Sequence, residues 1–282
     1  MTQPPDQKTL WNGPAGKAWV DGQELLDRML EPFLDLLVAE VRARGARSVL
    51  DIGCGTGATT LAIARALGER GAVTGVDLSE PMIAVARGRA ERARSAARFI
   101  CADAQEHEFD PGSVDLFTSR FGVMFFEDPV RAFANLRAAA ANGANMSLIA
   151  WRGAAENPFM TTAERAAAPH LPELPPRRSD GPGQFAFADA AQVRGILMES
   201  GWSDVALEPL DTHCVLSVRD LDDYLTRLGP VGLALQQVDA TTRAKVTEAV
   251  RAAFQPYVFG DEVRFNAACW MIRASASAVR HG

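Results

Sequence analysis

Val49-Leu50-Asp51-Ile52-Gly53-Cys54-Gly55-Thr56-Gly57 decides the fold. Apolar residues flank one acid, as in a buried strand. Glycines then alternate with small residues up to Ala58, where a helical pattern begins and runs to Leu67. Glycine has no Cβ and reaches positive φ at little cost. A strand that passes through such a hairpin into a helix therefore lets backbone approach a ligand closely. In an open α/β sheet, that place takes a nucleotide-type cofactor.

The acids around the loop narrow the choice. Glycine loops that grip phosphate hold an anion on helix N-terminal amides. Asp51, just before the loop, would repel a pyrophosphate and attract an amine or a sulfonium. Asp77 ends a second strand, Val73 to Asp77, twenty residues beyond Gly57, where a carboxylate can accept from both ribose hydroxyls. Asp103 follows a short third strand and can accept from an exocyclic adenine amine, while Ala104 offers a backbone N–H to the ring. Three acids around one cleft suit a cationic adenosine cofactor better than a dianionic one.

Strands and helices alternate outward from the loop. Ser48 to Ile52, Val73 to Asp77, Arg98 to Cys101, Val114 to Ser119 and Asn145 to Trp151 read as strands. Ser79 with Pro81, and Asp128 with Pro129, are helix starts, and Asn142-Gly143 is the stop of the second of these helices. Such βαβ alternation requires a parallel sheet with right-handed crossovers. Upstream, residues 1–22 begin as loop, and Leu25 to Val41 carries helical spacing broken at Pro32.

Downstream the pattern changes. Six prolines fall between Pro158 and Pro182, an irregular stretch that reads as a lid with a short helix at Thr161 to Ala168. A helix at Ala190 to Ser200 follows its Asp189 cap, then a strand at Val205 to Leu216, helices over 219–255 broken at Gly229-Pro230, and a last strand at Val263 to Ile272. The expected divisions are a helical segment 1–46, a cofactor-binding core 47–151, a proline-rich lid 152–187, and 188–282 with its helical cap 219–255.

Composition excludes several classes. A formal charge of −6 argues against nucleic acid or an anionic membrane as the main partner. The arginines from Arg87 to Arg98 read as a solvated helix face. The four cysteines are scattered and form no CxxC pair, so neither a metal site nor a disulfide framework is expected. No apolar run approaches the ~20 residues of a membrane span. The polar N-terminus does not read as a signal peptide, and a cytoplasmic location is expected. Oligomeric state is not legible.

The chain resembles class I S-adenosylmethionine-dependent methyltransferases over about Ser48 to Trp151. Val49 to Gly57 is similar to the family's first motif, and Val76-Asp77-Leu78-Ser79 to its ribose-binding acid. Cys101-Ala102-Asp103-Ala104 resembles the adenine-contacting motif, and Val114 to Ser119 the fourth strand. The subgroup it looks most like methylates quinones and secondary metabolites. The resemblance implies a Rossmann-like, doubly wound α/β sheet of seven strands with the last antiparallel. It also implies S-adenosylmethionine as cofactor, a small-molecule acceptor with an O, N, C or S nucleophile, and in-line displacement at the sulfonium methyl. Gly53 and Gly55 would approach the methionine part, the Ser119 carbonyl its amino group, and Leu78 and Met82 the adenine.

The chain departs from its relatives in one respect. Many carry a histidine shortly before an Asp-Pro such as Asp128-Pro129, but here the run is Phe121 to Phe126, with Met124 near that position. A base there is absent, and the lid and cap match no substrate-defining motif. The acceptor is expected near Arg120, Phe121, Met124 and Phe125, with His170 in the lid and Arg120 as candidate catalytic groups. Trp11 and Trp19 either close over the cofactor or pack on the leading helix. Cys54 borders the loop, its small size being sufficient reason for its presence. His107 and His213 are weaker base candidates. Two other readings remain open: a nicotinamide dehydrogenase, disfavoured by Asp51 and the glycine spacing, and a non-catalytic protein that binds S-adenosylmethionine or S-adenosylhomocysteine and regulates a partner.

Overall fold

The computed structural model describes residues 6–172, 174 and 181–276. Four helices lead in: α1 (Gln7–Asn12), α2 (Pro14–Asp21), α3 (Gln23–Met29) and α4 (Glu31–Arg44). The stretch read as loop before residue 22 is thus mostly helical. Asp6 caps α1 by accepting from the Thr9 amide at 2.7 Å, and Pro14 opens α2, so local capping overrides the glycines at 13 and 16.

The alternating core follows as β1 (Ser48–Ile52), α5 (Ala58–Leu67), β2 (Ala72–Asp77), α6 (Glu80–Ala93), β3 (Arg98–Cys101), β4 (Val114–Arg120), α7 (Pro129–Ala139) and β5 (Ala140–Trp151). The chain continues through α8 (Pro158–Ala167), α9 (Ala190–Glu199) and β6 (Ser203–Ser217). Then come α10 (Val218–Arg227), α11 (Gly229–Leu235), α12 (Ala240–Phe254), β7 (Val258–Phe259) and β8 (Glu262–Ser275).

The sheet order is β3-β2-β1-β4-β5-β8-β6. The β1–β2, β1–β4, β2–β3 and β4–β5 pairs are parallel, whereas β8 runs antiparallel to both β5 and β6. The expected seven strands with an antiparallel last member are present; two-residue β7 adds an eighth, paired to β8. Side chains alternate between two cores, as strand geometry requires. Val49 and Leu116 join Val38, Val41, Ile63 and Leu67 of α4 and α5, whereas Leu50 and Phe117 join Phe133 of α7 and Leu197 of α9. The sheet is therefore covered on both faces.

Asn142-Gly143 corrects one expectation. The helix has already ended at Ala139, and Gly143, at φ 76°, lies inside β5 where the register to β4 slips between Val114 and Leu116. A left-handed glycine serves a bulge as well as a helix end.

Candidate functional site

The order reversal beside β1 places the β1 and β4 ends at the crevice where such sheets bind ligands. After Ile52 the chain turns through Gly53, Gly55 and Gly57, all at positive φ (62°, 55° and 84°). Gly53 has a second reason to be glycine. A Cβ there would sit 2.5 Å from the Gly122 Cα, because the loop after β4 crosses directly over it.

Three of the loop's amides are already committed to protein acceptors. Cys54 N–H donates to the Val76 carbonyl at 3.1 Å, Gly55 N–H to Asp77 Oδ2 at 2.8 Å, and Gly57 N–H to the Cys54 carbonyl at 3.0 Å. The other Asp77 oxygen accepts from Ser79 N–H at 2.8 Å. Burial nonetheless pushes the Asp77 carboxyl above its ordinary value; the amide hydrogen bonds pull the other way. This loop presents a carboxylate where a phosphate-binding loop presents N–H groups.

A cavity of about 210 Å³ opens above it, bordered by Gly53, Gly55, Asp77, Leu78, Met82, Asp103, Ala104, Arg120 and Phe121. Nine of the expected site residues thus share one wall. Asp103 also makes its own turn: its carboxylate accepts from the Gln105 amide at 2.9 Å and from the Gln105 side chain at 3.0 and 3.2 Å. Among the described residues, no group of acids, histidines or cysteines could hold a metal.

Three of the expected cofactor-binding residues stand elsewhere. Asp51 does not project into this cavity. It is buried beneath the loop, accepting from Thr60 Oγ1 at 2.6 Å and Thr118 Oγ1 at 3.1 Å, and it borders a smaller cavity that adjoins the first. Desolvation raises its pKa to about 6, against the two hydroxyls and the nearby Arg120 charge. Cys54 borders that smaller cavity too, but its thiol is packed where Gly75 leaves room for it. The Ser119 hydroxyl braces the loop, donating to the Ile52 carbonyl at 2.7 Å and accepting from Gly122 N–H at 3.1 Å; Ser119 is wholly buried and borders neither cavity.

The cover over the cofactor cavity comes from the N-terminal helices. Asp6, Gln7, Lys8, Trp11 and Trp19 all border it. Trp11 meets Trp19 edge-on at 6.0 Å and Phe125 at 4.9 Å, and its carbonyl accepts from the Ser79 hydroxyl at 2.7 Å. Ser79 thereby joins this cover to the start of α6, whose Met82 amide it also caps at 3.5 Å.

An apolar chamber lies on the far side of Phe121 and Phe125. Its walls include Met124, Trp151, Phe159 and Ala163, together with Tyr224 and Phe254 of the 219–255 helices. Phe121 stacks on Trp151 at 4.3 Å and holds a left-handed φ of 69°, a strained state for a bulky residue. The segment read as a lid contributes α8 and Gln184 to this chamber; residues 173 and 175–180 lie outside the described residues. His170 is exposed and borders a third, outer cleft, and His213 is exposed on β6. His107 stacks edge-on with Phe109, and no histidine borders the cofactor cavity or the chamber among the described residues.

Two residues escaped the sequence reading. Arg89, assigned to a solvated face, is largely covered. It pairs with Asp27 at 2.6 Å and donates to the Thr56 carbonyl at 2.9 Å, tying α6 to α3 and to the glycine loop. Asp27 itself borders the smaller cavity. The i,i+4 partners that a sequence reveals gave no sign of a contact 62 residues apart.

Comparison with known proteins agrees with this geometry. Residues 49–143 match a family model described as a methyltransferase domain. The demethylmenaquinone methyltransferase of Shouchella clausii is 36% identical over 85 residues, which is 30% of this chain and 36% of that protein. A Staphylococcus aureus demethylmenaquinone methyltransferase is 33% identical over 87 residues, 31% of this chain and 36% of its own length. The chain therefore spans little more than a third of these curated relatives. Among solved structures, the YcgJ protein of Bacillus subtilis has a TM-score of 0.55 at 17% identity, covering 87% of this chain and 98% of that one. Magnesium protoporphyrin IX methyltransferase from Synechocystis, solved with S-adenosylhomocysteine, has a TM-score of 0.54 at 20% identity, covering 73% and 90%. These two show the fold alone. With the sequence matches, they show that the chain is similar to methyltransferase domains over residues 49–143 and shares their fold.

Proposed function

We propose that the protein transfers a methyl group from S-adenosylmethionine to a small, largely apolar acceptor. One observation carries the reading. The Cys54, Gly55 and Gly57 amides are spent on protein acceptors, so the loop offers a ligand carboxylate oxygens instead of donors. That suits ribose hydroxyls and positive charge, and it disfavours the pyrophosphate of a nicotinamide dinucleotide.

Asp77 would hold the ribose, Leu78 and Met82 would flank the adenine, and Asp103 with Ala104 would meet its edge. The bound cofactor supplies a methyl carbon on a sulfonium, open to in-line displacement by a nucleophile. The chain's own contribution is then alignment and exclusion of water. The chamber behind Phe121 holds the acceptor among aromatic faces, and Trp11 and Trp19 cover the cofactor. With no histidine on either wall among the described residues, the reading favours an acceptor that ionises readily.

Calorimetric titration with S-adenosylmethionine, S-adenosylhomocysteine and NAD tests the donor side. Methyl transfer to a panel of phenols, hydroquinones and amines tests the acceptor side. The expected result is micromolar binding of both sulfur nucleosides, no NAD binding, and turnover on at least one panel member. Binding of NAD alone overturns the proposal, and tight nucleoside binding without turnover on the whole panel favours a regulatory binder.

A further inference from the structure

The cofactor cavity and the apolar chamber share three wall residues among the described ones: Trp19, Phe121 and Phe125. All three are aromatic. Asp6, Lys8, Asp77, Asp103, Arg120 and Glu127 border the cofactor cavity, and Glu164 borders the chamber, but no charged residue borders both. A methyl group passes only when donor and acceptor atoms stand about 3 Å apart. The two cavities meet at this partition, so the sulfonium methyl and its acceptor must meet there too.

The rings are held by their neighbours. Phe121 stacks on Trp151 at 4.3 Å with planes 3° apart, and Phe33 is T-shaped to it at 5.1 Å. Trp11 braces the other two, T-shaped to Trp19 at 6.0 Å and to Phe125 at 4.9 Å. The Trp11 indole N–H in turn donates to Gln7 Oε1 at 3.0 Å. Trp19 and Phe125 are half-buried and also border the outer cleft. The same two rings therefore stand between that cleft and the partition.

We propose that this partition recognises the positive charge of the sulfonium through the rings of Trp19 and Phe125. The inference rests on the proposed cofactor and makes these two residues discriminate the charged donor from its uncharged product. A π face attracts a cation without pairing with it, and the attraction grows where water is excluded. A carboxylate in that place would bind the sulfonium strongly and oppose the loss of its charge. Aromatic faces give a weaker, diffuse attraction. They favour the charged donor over S-adenosylhomocysteine at little cost to the transfer itself.

S-adenosylmethionine and S-adenosylhomocysteine differ by the methyl group and its charge, so their affinity ratio reads the partition. Both are titrated calorimetrically, without acceptor, into wild type, Trp19→Leu, Phe125→Leu, Trp19→Phe and Phe125→Tyr. Each Leu variant should shift the ratio about 3- to 10-fold against S-adenosylmethionine, with a smaller change for S-adenosylhomocysteine. The Phe and Tyr variants, which keep a ring, should retain most of the wild-type ratio. Retained S-adenosylhomocysteine binding shows that a variant is folded. If the rings only limit space, the smaller leucine favours the methylated ligand and the ratio shifts the other way. That result, an unchanged ratio or equal loss of both ligands in the Leu variants overturns the proposal while the proposed cofactor stands. Failure of wild type to bind either nucleoside overturns the cofactor reading and the partition together.

Discussion

Asp51→Asn should stabilise the protein while damaging its cofactor site. Asp51 is 1% exposed, and desolvation raises its pKa from 3.8 to about 6. At about 1.36 kcal/mol per pKa unit, that rise costs the native state about 3 kcal/mol once the group is ionised. The sign follows from proton counting. Between pH 3.8 and about 6 the native state holds a proton that the unfolded chain has released, so stability falls as pH rises through that window. Below it the group is neutral in both states, and above it the full penalty applies. Asparagine keeps an acceptor for the Thr60 and Thr118 hydroxyls and removes the charge. The amide will not fit both hydroxyls as well, so a gain of about 1–3 kcal/mol is expected at pH 7.5. For a chain of this size that is a rise of roughly 2–6 °C in Tm. Scanning calorimetry of both proteins from pH 4 to 8 measures it. The gap in Tm should be near zero at pH 4, widen as pH rises to about 6 and stay open above it, while affinity for S-adenosylhomocysteine falls at least tenfold at neutral pH. An Asn variant less stable than wild type at pH 7.5, or a gap that does not change with pH, refutes the reasoning.

Three further outcomes follow from other parts of the fold. Glu40 on α4 accepts from Arg273 of β8 at 2.8 and 3.2 Å and from Ser147 of β5 at 2.9 Å, and these partners lower its pKa from 4.5 to about 2. Its contribution is present above pH 4.5 and lost as pH falls toward 2; after allowance for solvent screening it is about 1–2 kcal/mol, so acid denaturation of Glu40→Gln should lack that increment. Gly122→Ala places a Cβ 2.6 Å from the Gly53 Cα and 2.7 Å from the Ile52 carbonyl oxygen. It should cost about 1–3 kcal/mol in urea and at least tenfold in S-adenosylhomocysteine affinity, and native values for both would show that the two loops do not need this close approach. Trp11→Ala removes an indole from the cofactor cover but keeps the carbonyl that accepts from Ser79, so stopped-flow dissociation of S-adenosylhomocysteine should quicken about tenfold with only a small drop in Tm. An unchanged rate would mean that the cover lies elsewhere.

The geometry of the proposed donor side was legible because backbone sterics write it locally. Three glycines at positive φ, a proline and serine opening α6, and an acid at the end of β2 all lie within 35 residues, each with a reason that a neighbouring sequence position reveals. The parallel sheet of the core was legible too, since βαβ alternation allows few topologies. Misreadings came where tertiary contacts decide. Asn142-Gly143 carries the same signal for a helix end and for a bulge, and only the β4–β5 register separates the two. Arg89 and Arg87 look alike on one helix, yet one is held by Asp27 from α3 and the other stays half-open on the surface.

The proposed acceptor side was illegible for a deeper physical reason. Its chamber is assembled from α3, the loop after β4, α8, α10, α11 and α12, elements far apart in the sequence. Each contributes apolar residues that also read as core, because a ligand chamber and a core are built from the same side chains. Charge is the signal that separates them. Arg120, half-buried and held by the Leu30 carbonyl, puts a charge on the border of two cavities, where a core would place an apolar side chain. Phe121, beside it, holds a left-handed backbone that a core has no need of. Together these two residues mark where packing ends and binding begins. Arg120 borders only the loop-side cavities, whereas Phe121 borders these and the apolar chamber, so Phe121 is the wall between the proposed donor and acceptor sides.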